Sequence, residues 1–316
     1  MNKKLSRREF LGSSVAFGLS AVVAGRAGKL LASEPHLQFP SQPRNRLSVT
    51  SYPFRAYIES QTNHARDKSL PGMDLKDFAA MVAEKFDVHN INPLSNHLSS
   101  TTPAYLDEFR ASVAKAGSYL VGLGLEGASF WDPDPARRGA AVAYGKKWID
   151  IAAVLGSPSV RQHLHGSHHA PPNLDLAAES LGRMADYGAK KNVVVNLEND
   201  SAVNENPFFI VKVIEKAANP YLRALPDFGN SIRGEDAAYN QRAVTQMFKH
   251  AFNMSHVKDA LRGEGGMVYK IDVAKLFAIA RASGYRGYFS MEWDTGAGAD
   301  PYQGTARLVE ESLKYM

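Results

Sequence analysis

Eight short strand-like runs, alternating with longer stretches of helical periodicity, constrain the fold of this chain more than any other feature. Such alternation is typical of parallel α/β architectures, in which each helix returns the chain to the start of the next strand. The count and order favour a single (β/α)8 barrel over residues 46–316, which is long enough for that fold. The predicted strands are 47–52, 88–92, 119–125, 159–163, 193–197, 222–226, 251–255 and 285–291.

An open, doubly wound sheet is the alternative arrangement of the same elements. Such sheets usually carry a glycine-rich phosphate-binding turn directly after the first strand. At this point the chain has the sequence Ser-Tyr-Pro-Phe, residues 51–54, which contains no glycine. The barrel is therefore the favoured prediction.

Residues 255–294 show the repeating unit most clearly. One apolar run ends in Ser-His-Val-Lys-Asp at 255–259, a glycine-rich turn follows, and a second apolar run ends in Met-Glu-Trp-Asp at 291–294. Between the two runs, apolar residues recur at helical spacing after Asp272, which can cap the first turn, and Gly284 ends the helix. A strand, a helix and the next strand are therefore predicted here, with a possible metal ligand at the end of each strand.

The segment SHVKD…GEGGMVYKIDVAKLFAIARASGYRGYFSMEWD resembles the last third of the xylose isomerase-like barrels, the sugar phosphate isomerase/epimerase group. This group includes ketose 3-epimerases, hydroxypyruvate isomerases and apurinic endonucleases. The His-x-Lys-Asp motif, followed by a terminal Glu at this separation, carries the resemblance. It implies a barrel whose active site lies at the carboxyl ends of the strands.

Residues 1–32 are predicted to be an export signal. Residues 6–11 have the twin-arginine sequence Ser-Arg-Arg-Glu-Phe-Leu, and a weakly apolar run and small residues follow it. A short basic amphipathic helix is the alternative. The apolar run is shorter than the roughly 20 residues of a membrane span, so no stable membrane span is expected after processing. We therefore expect export by the twin-arginine machinery, a periplasmic location, and a Pro-containing linker at 33–45 before the barrel.

The same N-terminal segment carries the positive charge of the chain. The formal net charge is +5, and residues 1–32 hold six Lys or Arg residues against one Glu, so the mature chain is close to neutral. Without excess positive charge to neutralise phosphates, nucleic acid is not expected as a partner, which argues against an endonuclease. The sequence has no cysteine, which excludes disulfides and thiolate metal ligands.

Four of the predicted strands are followed by residues of metal-ligand type. They are Glu198, Asp227, His256 and Glu292, at intervals of 29, 29 and 36 residues, each about one βα repeat. In a barrel these side chains converge at one mouth. Taken singly, each has another explanation, as a helix cap or a hydrogen-bonded core histidine. Three carboxylates in one mouth repel one another unless a cation holds them, so a metal site is predicted.

The resemblance implies the number and identity of the metal ions. In the ketose epimerases and their relatives, the corresponding Glu, Asp, His and Glu bind one divalent ion, often manganese. Mixed imidazole and carboxylate ligands suit Mn2+, with Co2+, Mg2+ or Zn2+ as alternatives. The multi-metal endonucleases have a second His where this chain has Asn230, and many relatives end the second strand in Glu where it has Asn92. Both differences remove ligands, so a single ion is expected.

Several further residues are candidates for substrate binding. By the same resemblance, His163 or His165 at the end of the fourth strand contacts a substrate oxygen, and stabilisation of the following turn is the alternative. Lys258 lies on the same strand face as His256 and is a candidate to bind substrate or to polarise a carbonyl. A surface ion pair between Lys258 and Asp259 is the alternative.

Aromatic residues after the first and third strands can form an apolar roof over a sugar ring. Phe54 and Trp131, the latter next to Phe130, are the candidates, and packing in the core is the alternative. The polar candidates near the same rim are Arg55, Asn92, His97 and Asn230.

The reaction that these residues and the resemblance imply is proton abstraction from a carbon next to a carbonyl. Glu198 and Glu292 are predicted to remove the proton and to return it, which isomerises or epimerises a carbohydrate through an enediolate. The main alternative is a lyase that expels a leaving group from a 3-keto-glycoside, because glycosides are met outside the cytoplasm. A non-catalytic sugar-binding barrel is the second alternative, although simple binding does not require both glutamates.

Overall fold

Short strands and longer helices alternate along the part of the chain that the computed structural model describes, residues 33–166, 170–232, 236–263, 266–294 and 299–316. The strands are β1 (Leu47–Thr50), β2 (Asn90–Asn92), β3 (Tyr119–Leu120), β4 (Leu123–Ala128), β5 (Ser159–Leu164), β6 (Val194–Glu198), β7 (Leu222–Leu225), β8 (Met254–Val257), β9 (Ala260–Arg262), β10 (Val268–Lys270) and β11 (Tyr288–Met291). The helices are α1 (Leu75–Phe86), α2 (Pro103–Lys115), α3 (Pro135–Leu155), α4 (Leu174–Lys191), α5 (Pro207–Ala217), α6 (Ala237–Phe248), α7 (Val273–Ala282) and α8 (Pro301–Leu313). The twin-arginine sequence at 6–11 lies outside the described residues, so export stays a prediction.

The parallel strands form a ring. β1 pairs with β2 on one side and with β11 on the other, β11 pairs with β8, and β4 to β7 pair in chain order. A bridge between Leu94 and Gly124 joins these two groups at one end. A bridge between Asp227 and His256 joins them at the other end. The chain therefore has the parallel α/β barrel fold that the alternation predicts.

Side-chain caps fix the start of each helix in the described residues. Each cap residue accepts a hydrogen bond from a backbone N–H in the first turn, which satisfies a donor that the helix itself cannot pair. The caps are Asp74, Thr102, Asp134, Asn173, Asn206, Asp236, Asp272 and Asp300. The predicted cap at Asp272 is confirmed, and Gly284 follows α7 with a φ of 75°, a conformation that favours glycine.

The main apolar core lies between the strands and the surrounding helices. Phe289 of β11 and Phe277 of α7 have ring centroids 4.6 Å apart, and Phe228 lies 5.2 Å from Phe277. All three rings are buried, and burial of one such side chain stabilises the fold by about 1.5–3 kcal/mol. Residues of β1, β6 and β8 are buried throughout, as expected for strands covered on both faces.

The inner face of the barrel is polar near the site. Asn196 lies on the same face of β6 as Glu198, because side chains two residues apart share a face. Its Nδ2 donates to Asn253 Oδ1 at 3.0 Å, and Asn253 Nδ2 donates to Ser159 Oγ at 2.8 Å. These hydrogen bonds tie β5 and β6 to the residues before β8, which fixes the strands that carry the site.

Several predicted strands differ from the structure in their exact ends, for example 285–291, where β11 begins at Tyr288, and two differences affect the pairing or the site. The single strand predicted at 119–125 is divided, because Tyr119–Leu120 pairs with β2 whereas Leu123–Ala128 pairs with β5. The strand predicted at 251–255 begins later, at Met254, where pairing with β11 begins. Its last residue is Val257, so His256 lies within the strand and does not follow it.

An antiparallel hairpin interrupts the expected turn between β8 and α7. β9 and β10 pair with each other on either side of the glycine-rich segment, and Leu261 also bridges to Asp294. Sequence periodicity did not predict this hairpin, because each of its strands has only three residues. Its bridge to Asp294 places it at the carboxyl end of β11, beside the site.

The predicted linker has few regular elements but makes specific contacts. The Phe39 ring lies 5.5 Å from that of Phe252 and 5.9 Å from that of Tyr288, and Glu34 pairs with Arg223. These contacts lie near the amino-terminal ends of β7, β8 and β11, opposite the site. No helix among the described residues is long and apolar enough to cross a membrane.

Candidate metal centre

Four strands that are neighbours in the ring bring the predicted ligands together. Glu198 is the last residue of β6, Asp227 lies two residues after β7, His256 lies in β8, and Glu292 follows β11. One ligand atom from each residue lies within 4.8 Å of the others, and all four residues are buried. The four side chains converge because the carboxyl ends of adjacent parallel strands lie at the same edge of the barrel sheet.

His256 occupies the centre of this group. Its Nδ1 lies 2.6 Å from Glu198 Oε1 and 3.0 Å from Glu292 Oε2. The side chain is completely buried, and its Nε2 lies 2.9 Å from Asn92 Nδ2. Nδ1 is therefore the nitrogen that faces the carboxylates, and Nε2 faces the barrel interior.

Backbone N–H groups hold the carboxylate of Asp227. Its Oδ1 accepts hydrogen bonds from the N–H of Gly229 at 2.8 Å and of Asn230 at 2.7 Å. Its Oδ2 is buried, accepts no hydrogen bond and lies 3.3 Å from Lys258 Nζ. Asn199 fixes the backbone at Asp227, since its Oδ1 accepts from the Asp227 N–H at 2.8 Å. Asp227 therefore presents one oxygen to the group of ligands.

Two buried cations flank the carboxylates. Arg161 Nη1 lies 3.3 Å from Glu198 Oε2. Lys258 Nζ lies 3.4 Å from Glu292 Oε2 and donates to Asn230 Oδ1 at 2.8 Å. Lys258 is therefore part of the site, and the surface ion pair with Asp259 is excluded because only 3% of Lys258 is exposed.

Charge interactions in this group shift the pKa of every member. Burial opposes the charge on His256, but Glu198 and Glu292 outweigh it and raise its pKa to about 10. Burial likewise opposes ionisation of Glu198 and Glu292, but the neighbouring cations hold both pKa values below the usual range. Burial raises the pKa of the Asp227 carboxyl, against the opposing effect of Lys258. Without a metal ion, the group is held together by protons and by the two basic side chains.

The donor set fits one divalent metal ion. Three carboxylates and one imidazole nitrogen are the ligands that Mn2+, Co2+ and Zn2+ accept, whereas Ca2+ and Mg2+ prefer oxygen alone. Asp227 Oδ2 accepts no hydrogen bond, as expected of an oxygen that binds a metal cation. When His256 is neutral, the three carboxylates carry one more charge than the two basic side chains, Arg161 and Lys258, so the group has a net negative charge. A divalent cation offsets this charge.

The predicted substrate-binding residues fall into two groups. Asn230 and Lys258 lie in the centre itself, joined by their hydrogen bond. His163 lies beside the centre on β5, and its Nδ1 lies 2.7 Å from Glu205 Oε1. His165 is exposed and lies against Gly127 at the end of β4. His163 is therefore the histidine of β5 that has a buried carboxylate partner.

The aromatic candidates lie below the surface. Phe54 is fully buried and contacts the rings of Phe78 and Tyr302, at centroid distances of 5.7 Å and 5.1 Å. Trp131 is also fully buried, and its ring lies 5.8 Å from that of Phe209. These positions favour the alternative of core packing for both residues.

Polar residues form the rim next to β1 and β2. Ser51 Oγ lies 2.7 Å from His97 Nδ1, and burial, with a smaller effect of Arg55, lowers the pKa of His97 to about 3. His97 is therefore neutral, and its tautomer decides whether Nδ1 accepts from the Ser51 hydroxyl or donates to it. Arg55 lies 3.3 Å from Asp294 Oδ1 and stacks on the ring of Tyr52.

Two residues of the site were missed by sequence reasoning. Arg161 had a recognisable signal, because a charged residue in the middle of a predicted barrel strand is rarely buried without a partner. Glu205 had no such signal, since it lies in the loop after β6. Its carboxylate is buried and also accepts from the backbone N–H of Leu164 at 2.8 Å. Together with Asp200, His163 and Glu205 form a second group of metal-ligand type next to the first.

Solved structures resemble the fold over most of its length. D-psicose 3-epimerase from Clostridium cellulolyticum, solved with D-tagatose, is 14% identical with a TM-score of 0.66, over 85% of this chain and 99% of that one. D-allulose 3-epimerase from Methylomonas sp. is 16% identical with a TM-score of 0.66, over 89% of this chain and 100% of that one. A xylose isomerase-like TIM barrel protein from Mycobacterium smegmatis, in complex with magnesium, is 16% identical with a TM-score of 0.65, over 85% and 96%. At these identities the likeness shows the fold.

Family membership follows from the sequence match. Curated proteins give no match to this chain. The model of a protein family, described as xylose isomerase-like TIM barrel, matches residues 77–316, which include every residue of the metal centre. The chain therefore belongs to the xylose isomerase-like TIM barrel family.

Proposed function

We propose that this protein is a divalent-metal-dependent isomerase or epimerase of a carbohydrate, with Mn2+ as the metal. The observation that carries the proposal is the buried group of three carboxylates and one imidazole, flanked by two cations, at the carboxyl ends of the strands. The likeness of the fold to solved ketose 3-epimerases supports it. A small carbohydrate is the expected substrate, and nucleic acid is not.

Four residues are suited to hold the metal ion, namely Glu198, Asp227, His256 and Glu292. A divalent ion bound there supplies positive charge beside a substrate carbonyl, which makes the adjacent C–H more acidic. His256 is suited to bind through Nδ1, the nitrogen that faces Glu198 and Glu292. Asp227 contributes the oxygen that accepts no hydrogen bond.

Glu198 and Glu292 are the proposed proton-transfer residues. They belong to β6 and β11, on either side of the strands that carry Asp227 and His256. One carboxylate takes the proton from the carbon. The other returns a proton to the opposite face of the same carbon, which gives the epimer, or to the former carbonyl carbon, which gives the isomer. Each has its own cation, Arg161 for Glu198 and Lys258 for Glu292, so each stays ionised and ready to accept a proton.

Lys258, Asn230 and His163 are the proposed substrate-binding residues. The Lys258 ammonium is buried beside the ligands and can stabilise negative charge on a substrate oxygen. Asn230 Oδ1 accepts from the Lys258 ammonium at 2.8 Å and so orients it. Glu205 fixes Nδ1 of His163, which leaves Nε2 to meet a substrate oxygen.

A lyase acting on a 3-keto-glycoside is the second candidate, and the pair of His163 and Glu205 favours it. Elimination from the β-carbon needs a proton donor for the departing oxygen in addition to the base that takes the C–H proton. A histidine that is held by a buried carboxylate and lies outside the metal centre can provide that donor. The same base chemistry at Glu198 or Glu292 serves both reactions.

Exchange of carbon-bound hydrogen with solvent tests the proposal. Manganese-loaded mature protein is incubated in D2O with ketoses, aldoses and 3-keto-glycosides, and products are followed by NMR and mass spectrometry. Deuterium at the carbon next to the carbonyl with inversion or isomerisation supports an epimerase or isomerase, and release of an alcohol or sugar supports the lyase. Glu292→Gln should abolish both outcomes. Tight sugar binding without exchange or product, unaffected by Glu292→Gln, would establish a non-catalytic binding protein instead.

A further inference from the structure

Asn92 makes a contact with the ligand His256 that the proposed chemistry does not use. It is the last residue of β2 and is 1% exposed. Its amide nitrogen lies 2.9 Å from His256 Nε2, whereas its amide oxygen is buried and has no hydrogen-bond partner. The oxygen and nitrogen of such an amide are distinguished by their partners, and a half-turn of the amide exchanges them.

The chemistry of His256 decides which amide atom faces it. An imidazole that binds a metal through Nδ1 carries its remaining proton on Nε2. A buried N–H that has no acceptor is costly, about 1–3 kcal/mol. The Asn92 amide is the polar group at Nε2 among the described residues, and turning it places the partnerless Oδ1 against this N–H.

We propose that Asn92 is a positioning residue for the metal-binding imidazole, accepting the His256 Nε2–H at its amide oxygen. The inference rests on the metal site proposed above. Outer hydrogen bonds of this kind fix the tautomer and the ring orientation of histidine ligands. Asn92 thereby keeps Nδ1 directed at Glu198 and Glu292.

The backbone around Asn92 is suited to this role. β2 is held by pairing of Asn92 with Thr50 of β1, and the Asn92 carbonyl accepts from the Ser51 N–H at 3.2 Å. Gly122 leaves room for the amide, because a Cβ at position 122 would lie 3.1 Å from Asn92 Oδ1. The side chain therefore reaches His256 from a rigid strand.

Manganese affinity of three variants tests the inference. Asn92→Leu removes the acceptor at similar volume, Asn92→Asp keeps an acceptor, and Asn90→Ala removes a buried amide from the same strand that bonds only to backbone carbonyls of residues 45 and 47. Asn92→Leu should bind Mn2+ about 10- to 100-fold more weakly than wild type. Asn92→Asp and Asn90→Ala should bind as wild type does, and circular dichroism should show all three folded.

The outcomes separate this inference from the proposed function. Unchanged affinity in a folded Asn92→Leu, or equal loss in Asn92→Leu and Asn92→Asp, would overturn the role of Asn92 while leaving the metal site intact. Wild-type protein that binds no Mn2+ would overturn both. NMR of 15N-histidine-labelled, zinc-loaded wild type needs no variant, and it should show a proton on His256 Nε2. An unprotonated Nε2 would contradict the inference.

Discussion

The ammonium of Lys258 lies 3.4 Å from Glu292 Oε2, inside the centre and away from solvent. Burial opposes the charge of Lys258, but Asp227 and Glu292 raise its pKa above the usual range. A fixed cation beside a proposed metal ligand has two consequences. It stabilises the metal-free carboxylates, and under the proposed function it can also bind a substrate oxygen.

Replacement of Lys258 with Met should destabilise the metal-free protein. The change leaves the buried carboxylates of Asp227 and Glu292 without their shared cation, and breaking a buried ion pair costs about 3–5 kcal/mol. Chemical denaturation of metal-free protein measures the effect, and added Mn2+ should recover part of it. Lys270→Met, at an exposed residue of β10, is the control and should change little. Equal stability of the two variants would contradict the role of Lys258.

Stability of the metal-free protein should fall as pH rises above neutrality. The pKa of His256 is raised from 6.5 to about 10, so the stability from its proton is complete below about pH 6.5 and is lost as pH rises through 10. The pKa of Asp227 is raised from 3.8 to about 7, so its effect has the same sign but falls between those two pH values and adds little above neutrality. Thermal unfolding from pH 6.5 to 10 should show a falling Tm in wild type and a smaller fall in His256→Gln.

Metal binding should release protons near pH 7.5. Nδ1 must lose its proton to bind a metal, so each Mn2+ should displace about one proton from His256. Calorimetric titration in two buffers of different ionisation enthalpy measures this number. Identical binding heats in both buffers would show that the histidine is already unprotonated, contrary to its environment.

The purified protein should contain about one divalent ion per chain, because one donor set of three carboxylates and an imidazole provides one site. His256→Ala and Asp227→Asn should each lose it, by elemental analysis after gel filtration. His165→Ala is the matched control, since His165 is exposed and lies outside the centre. Retention of metal by both ligand variants would exclude the site.

The ligand set was predictable from the sequence because residues at the carboxyl ends of neighbouring barrel strands lie close together in space, although they are far apart in the sequence. Glu198, Asp227, His256 and Glu292 lie within, end or follow strands that are neighbours in the ring, so the fold alone brings them together. The partners of these residues were not predictable in the same way. Arg161 and Asn92 reach their ligands across the inner face, and such contacts depend on side-chain length and strand register.

The exact ends of the strands could not be predicted from the sequence either. Residues 251–257 contain no glycine or proline to mark a strand end, and pairing with β11 selects Met254–Val257. The aromatic candidates show a related limit. Phe54 follows β1 closely enough for a roof, but a 3-10 turn at Tyr52–Phe54 directs its ring to Phe78 and into the core.

Export remains a prediction that a variant can test. Twin-arginine transport carries folded proteins, so a protein with a buried metal site would acquire its metal in the cytoplasm before export. Replacing both Arg7 and Arg8 with Lys should retain the protein in the cytoplasm, as measured by fractionation, whereas Lys3→Arg with Lys4→Arg should leave export normal. Normal export of the first variant would refute the twin-arginine route, and wild-type protein found only in the cytoplasm would refute the periplasmic location.

Glu205 and His163 should act as one unit in the proposed reaction. Glu205 is buried, accepts from His163 Nδ1 at 2.7 Å and is anchored by the Leu164 N–H at 2.8 Å. A carboxylate in this position fixes the ring so that Nε2 can exchange a proton with substrate. Their effects on turnover should therefore not be additive.

The kinetics of three variants test this coupling once a substrate has been identified. His163→Ala should lower kcat on the order of 100-fold, Glu205→Gln should lower it by a smaller factor, and the double variant should be no slower than His163→Ala alone. Manganese content should stay at the wild-type level in all three, because neither residue belongs to the metal centre. Additive losses would show that the two side chains act independently. Loss of metal from these variants would instead show that the pair supports the metal centre and affects turnover through it.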